Sequence, residues 1–154
     1  MSSDRIMAEE PIEKKITRIL IHRKMTVTAA ESCTGGLVAG TLVNADGISE
    51  VFKESYVTYS NEAKHKLLGV KKETLEKYGA VSRQTAAEMA EGAVRAAGAD
   101  ASVVTTGVAG PGGGTEEKPV GLVYIGCYVK GCTIVKRCFY GGDRQGVRYS
   151  AVKE

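Results

Sequence analysis

The stretch "AAESCTGGLVAG", residues 29–40, decides how this chain is read. An apolar, β-branched run from Met25 to Thr28 leads into two alanines and halts at Glu31-Ser32-Cys33-Thr34. It then passes two glycines and resumes as Leu37-Val38-Ala39. That succession spells a strand, a tight loop and the first turn of a helix. A junction of this kind belongs to α/β folds, where the loops beyond the carboxyl ends of strands are the usual place for ligands.

Working outward, Ile12, Ile16, Ile19 and Leu20 recur at helical spacing behind Pro11, which predicts a helix over residues 10–23 ahead of a strand over Thr26 to Ala30. Downstream, the spacing predicts a helix over 36–44, ended by the turn-like Asn44-Ala45-Asp46-Gly47, and a strand over Glu54 to Tyr59. Ser60 is placed to cap the next helix, which carries Lys64 to Leu68. A helix over 72–78 closes at Gly79. Ser82 caps another, whose Ala86, Met89, Ala90, Ala93 and Val94 share one face before Gly98. Ala101 to Thr105 reads as a fully buried strand running into the glycine-rich "TGVAGPGGGTEEKPVG", residues 106–121. Strands over Gly121 to Val129 and Cys132 to Tyr140 meet at Lys130-Gly131, a hairpin, and Asp143 caps a last helix from Arg144. The expectation is one α/β layered domain over residues 10–154, with a mixed sheet flanked by helices and a late antiparallel hairpin, behind a polar tail over 1–9.

Composition narrows the partners. In 154 residues, 43% of them hydrophobic, one core can form with little room for a second. The 21 basic and 18 acidic residues leave a net charge of +3 with no basic run, and aromatics are only 6%, so nucleic-acid binding has no support. The polar start lacks an apolar leader segment and no apolar stretch is long enough to span a bilayer; a soluble, cytoplasmic protein without membrane contact is expected. Cys33, Cys127, Cys132 and Cys138 form no CxxC pair and have only His22 and His65 to cooperate with, which argues against a zinc site or a disulfide framework. The apolar hairpin strands are compatible with a homo-oligomer.

Two loops, Glu31 to Gly36 and Gly107 to Gly114, follow strands directly and could share a site. Neither carries GxxxxGK[ST], and the second leads to a strand rather than a helix, so the usual triphosphate and dinucleotide cradles are disfavoured. "ESCTGG" then suits either an anion held by free N–H groups at a helix start, or a nucleophile beside an oxyanion hole. For Ser32 as nucleophile, no histidine lies in a loop that follows a strand, whereas Lys64 sits one turn into a helix just beyond a strand. A lysine base must be neutral, and moving its pKa from about 10.4 to about 7.5 takes about 4 kcal/mol, so Lys64 has to point into a dry pocket. Each residue also has an ordinary use. Ser32 suits a helix cap, Cys33 either a rival nucleophile or core filler, Lys64 a solvated helix face and Tyr59 strand packing. Arg144 and Arg148, at i and i+4, suit ion pairs or a phosphate clamp, and Gly107, Gly110 and Gly112 to Gly114 a plain turn.

Five segments, "TAAESCTGGLVAG", "VTYSNEAKHKLLGV", "YGAVSRQTAAEMAEGA", "TTGVAGPGGGTEEKPVGLVYIG" and "GDRQGVR", occur in the order and at about the intervals of the CinA C-terminal domain family, named for competence- and damage-inducible proteins. The resemblance runs from about residue 10 to the end. It implies a nicotinamide-nucleotide amidase: hydrolysis of the carboxamide of nicotinamide mononucleotide, a small-molecule substrate, to nicotinate mononucleotide and ammonia, with no metal or other cofactor. By the same resemblance Ser32 matches the nucleophile, Tyr59 and Lys64 its partners, and Thr106 and Gly107 the strand-end loop facing the pocket. In the mechanism this implies, N–H groups near Thr34, Gly35 and Gly36 hold the oxyanion. The phosphate meets the glycine-rich loop around Gly110, or Arg144 and Arg148. Longer relatives carry an additional N-terminal nucleotide-processing domain, whose activity is not expected of this sequence. The alternative from another class is a nucleotide-binding or protein-interaction module that keeps the pocket without turnover.

Overall fold

The computed structural model describes residues 9–154; the tail anticipated over 1–9 lies, Glu9 apart, outside the described residues. Five strands form one mixed sheet: β1 (Val27–Glu31), β2 (Tyr56–Val57), β3 (Ala101–Gly107), β4 (Leu122–Val129) and β5 (Cys132–Phe139), in spatial order β2-β1-β3-β4-β5. β1 runs parallel to both β2 and β3, while β4 and β5 are antiparallel additions. The expected mixed sheet with a late hairpin is therefore what the chain forms.

Helices cover both faces, as the strand sequences require. Along β1 every residue is buried, and adjacent residues serve opposite sides: Ala29 packs into a core under α1 (Ile12–Arg23) and α2 (Leu37–Leu42), Ala30 into a core under α3 (Asn61–Leu68), α4 (Lys72–Tyr78) and α5 (Arg83–Ala97). Val103 and Val104 of β3 divide in the same way. A third cluster seats α6 (Arg144–Lys153) by Val147 and Ala151 against Cys33, Ala109 and Val123, so the last helix packs on both candidate loops.

Three caps form where local chemistry placed them. Ser60, Ser82 and Asp143 accept hydrogen bonds from the N–H groups of Ala63, Thr85 and Gly146, at 3.0, 3.1 and 2.8 Å. The segment expected as a strand over 54–59 shrinks to two residues. It is an edge segment whose backbone pairs with β1 only at Ala30 and Glu31, and beyond Val57 the Thr58 carbonyl is diverted to a side chain. β3 runs two residues past the expected Thr105, because β4 pairs with it as far as Gly107.

The close approach of α3 to α5 rests on Gly92. A Cβ there would lie 1.9 Å from the Leu68 carbonyl oxygen, so only glycine lets the two helices come together. That approach sets the position of α3, which carries Lys64.

Candidate functional site

Because β2, β1 and β3 are parallel neighbours, their carboxyl ends open on one edge of the sheet. The chain goes from β1 to one side for β2 and to the other for β3, so the crevice above β1 is a topological switch point. Three connections converge there: the Ser32–Gly36 loop after β1, Thr58 to Ser60 after β2, and the glycine-rich loop after β3. A cavity of about 330 Å³ lies among them, lined by Ser32, Cys33, Tyr59, Lys64, Thr106 and Arg144, among others, with Gly107 and Gly110 in the loop that roofs it.

The Lys64 amine donates to Ser32 Oγ at 3.0 Å and to the Thr58 carbonyl at 2.9 Å. Lys64 is 1% exposed and Ser32 8%, so this contact is dry. Burial, outweighing a small opposing effect of the nearby Cys33 thiol, pushes the Lys64 ammonium down from 10.5 to about 8. No carboxylate contributes to that shift. Burial likewise pushes the Cys33 thiol up to about 11, which keeps it protonated near neutral pH. Of the two candidate nucleophiles, only Ser32 is hydrogen-bonded to the Lys64 amine among the described residues.

The other expected residues are placed unevenly. The Thr106 hydroxyl is turned to the Ala80 carbonyl at 2.7 Å and holds the cavity wall. Arg144 spans the mouth, donating to the Gly110 carbonyl at 2.8 Å and to the Tyr59 hydroxyl at 2.9 Å; both acceptors are neutral. Tyr59 is 62% exposed, and the Lys64–Ser32 contact is direct and uses no relay through its hydroxyl. Thr34, Gly35, Gly36 and Arg148 are not in the lining of this cavity. The Gly35 N–H is spent on the Ser32 carbonyl at 3.1 Å, and Arg148 grips the loop from outside through the carbonyls of Cys33 and Thr34, at 3.0 and 3.1 Å. Gly35 and Gly36 adopt φ of +58° and +105°, which turns the chain from strand to helix in so few residues.

Sequence reasoning missed Glu31. Ser32 does not cap α2; the Glu31 carboxylate does, accepting from the N–H groups of Val38 and Ala39 at 2.8 and 3.1 Å. The free helix start expected for an anion is thus already occupied by a side chain. The signal available was an acidic residue closing a strand of small, buried residues. A neighbouring depression of about 570 Å³ shares Ala109 and Arg144 with the first, but none of its lining residues is a nucleophile with a base beside it. The chemistry is therefore assigned to the smaller cavity.

Fold and site together define an α/β domain with a buried serine–lysine pair at its switch point. The model of the CinA C-terminal domain matches residues 9–154, and the chain belongs to that family. It is 56% identical over 150 residues to a competence-damage inducible protein of Clostridium beijerinckii, covering 96% of this chain and 37% of that one. It is 54% identical to a namesake in Clostridioides difficile, covering 95% and 35%. The chain thus spans little more than a third of these relatives. Among solved structures, a CinA superfamily protein from Escherichia coli is similar at a TM-score of 0.89 and 37% identity, covering 92% of this chain and 83% of that one. The competence/damage inducible protein CihA from Agrobacterium tumefaciens gives 0.85 and 44%, covering 92% and 89%. No described helix is long and apolar enough to cross a membrane.

Proposed function

We propose that the protein is a metal-independent amidohydrolase that removes the carboxamide nitrogen of nicotinamide mononucleotide, acting in the cytoplasm on a small-molecule substrate. The observation that carries this reading is the dry 3.0 Å contact between Ser32 Oγ and a lysine whose amine is pushed down to about 8. At that value about a tenth of Lys64 is neutral at pH 7, against fewer than one in a thousand for a solvated lysine. A serine with a neutral amine at this distance is an activated nucleophile, and an amide is the group such a pair can open.

The steps follow. Neutral Lys64 takes the Ser32 proton as Oγ bonds to the amide carbon. The resulting oxyanion is met by N–H groups facing the cavity. The N–H groups of Ala109 and Gly110 donate to no acceptor among the described residues and belong to cavity-lining positions, which makes them better donors than Thr34, Gly35 or Gly36. The Lys64 ammonium returns the proton to the nitrogen, the C–N bond breaks, and ammonia leaves a Ser32 ester. Water, deprotonated by Lys64, hydrolyses the ester and restores the Ser32 hydroxyl, giving the carboxylate product.

Arg144 is the phosphate ligand in this reading. Among the described residues its guanidinium has only neutral partners, and it lines the cavity mouth, so an anionic substrate displaces weak acceptors with a charge-assisted pair. The cavity, at about 330 Å³, is at the lower end of small-molecule sites, which run from about 300 to 1,000 Å³. The test is ammonia release from nicotinamide mononucleotide by the purified protein. Turnover supports the enzyme. Thermal stabilisation by the nucleotide without ammonia identifies instead a binding module that keeps the pocket alone.

A further inference from the structure

One buried group takes no part in that mechanism, yet it borders the nucleophile. Glu31 ends β1, is 1% exposed, and its carboxylate accepts three donors: the Thr34 hydroxyl at 2.5 Å and the N–H groups of Val38 and Ala39. Since Thr34 Oγ1 gives its proton to Glu31, the 2.8 Å contact between Thr34 Oγ1 and Thr105 Oγ1 has Thr105 as donor. A chain of hydroxyls therefore runs from β3 through the loop to the carboxylate at the end of β1. Glu31 joins both ends of the Ser32–Gly36 loop, one by the backbone and the other by the start of α2. Arg148 holds the outside of the same loop by two carbonyls.

A buried carboxylate with three donors and no ion pair among the described residues is costly to keep, and its bonds go to Thr34, Val38 and Ala39 rather than to the Lys64 amine. Aimed at Lys64, it would hold that amine charged and useless as a base. Its present direction gives the loop rigidity and leaves Lys64 without a counter-ion.

We propose that Glu31 is the positioning residue of this site: its carboxylate, tied to Thr34, Val38 and Ala39, fixes the loop in the shape that presents Ser32 Oγ to Lys64. This rests on the amidase reading for its substrate, but Ser32 reactivity can be followed without one. A loop released by even an ångström loses about a hundredfold in rate at a site that depends on orientation.

The experiment compares the parent with Glu31→Gln and Thr34→Val, which leaves the carboxylate but cuts the hydroxyl link, each checked for folding by circular dichroism. Two rates are read: sulfonylation of Ser32 by phenylmethanesulfonyl fluoride, located by peptide mass spectrometry, and ammonia release from nicotinamide mononucleotide. The expected result is a fall of about 10- to 100-fold in sulfonylation and kcat for Glu31→Gln and a smaller fall for Thr34→Val, with KM within about twofold and the pH midpoint unmoved because Lys64 is untouched. Parent rates in a folded Glu31→Gln, or in a folded Thr34→Val where Glu31→Gln does not fold, overturn the proposal. A shifted pH midpoint also overturns it, since Glu31 would then act on Lys64 and not on Ser32. A parent unreactive at Ser32 overturns it as well. Sulfonylation that falls as expected while no protein releases ammonia upholds the positioning role and refutes the amidase reading alone.

Discussion

Replacing Lys64 with methionine should abolish activity and stabilise the fold in the same stroke. Burial lowers the Lys64 amine from 10.5 to about 8, a drop worth about 3 kcal/mol against the charged form. Keeping that side chain charged at pH 7 therefore costs the folded state about 3 kcal/mol relative to the unfolded chain. The sign follows from proton uptake. Between about pH 8 and 10.5 the unfolded lysine holds a proton that the folded one has lost, so stability rises with pH across that window. The penalty is complete below pH 8 and gone above 10.5. Methionine has a similar reach and no charge, but it forfeits the bonds to Ser32 Oγ and the Thr58 carbonyl, worth about 1 kcal/mol each. The net gain at pH 7 is about 1 kcal/mol, a rise in Tm of about 2–4 °C for a chain of this size. Urea unfolding of parent and variant at a series of pH values reads it directly, and the gap should close and reverse by about pH 10.5. A variant less stable than the parent at pH 7, or a gap that ignores pH, would refute the claim that Lys64 is a strained, dry base.

The same amine sets the rate: kcat/KM of the parent should rise about tenfold from pH 6 to 7 and level off above pH 8, and a flat profile would remove Lys64 from the base role. Cys33→Ala should keep kcat within about threefold, and iodoacetamide at pH 7 should leave the parent active, because a thiol pushed up to about 11 offers almost no thiolate. Gly92→Ala should cost about 3 kcal/mol in urea unfolding and lower kcat as well, since the new Cβ drives α3, and Lys64 with it, away from the sheet. Arg144→Ala should raise KM for the nucleotide at least about tenfold with kcat little changed; an unaltered KM would take Arg144 out of the phosphate site.

What could be read in the sequence was what short-range chemistry determines. Ser60, Ser82 and Asp143 each bond an N–H three residues on, so their caps are visible without any tertiary information. Lys130-Gly131 supplies two positive φ angles at the hairpin, and the buried runs of β1 and β3 mark strands covered on both faces. The Ser32–Lys64 pair was legible as a chemical possibility, since a lysine base has to be neutral and therefore dry. Hidden from that reading were links made across the fold. Arg148 reaches the Cys33 carbonyl over 115 positions, Arg144 reaches the Tyr59 hydroxyl over 85, and both depend on where α6 lands. Glu31 was missed because its acceptors' partners lie seven and eight residues on, beyond the three-residue reach of an ordinary cap. The dryness of Lys64 in turn depends on Gly92, a residue unremarkable until the Leu68 carbonyl is found against it.

The most direct test of the central claim follows nicotinamide mononucleotide with the parent and with Ser32→Ala, in the presence of hydroxylamine, measuring both ammonia and nicotinohydroxamic acid mononucleotide. If Ser32 forms an ester, the parent releases ammonia and diverts part of the product to the hydroxamate, while Ser32→Ala yields neither. Ammonia release by a folded Ser32→Ala at the parent's rate would contradict the account, because the amide would then be opened without the serine that the site is built around.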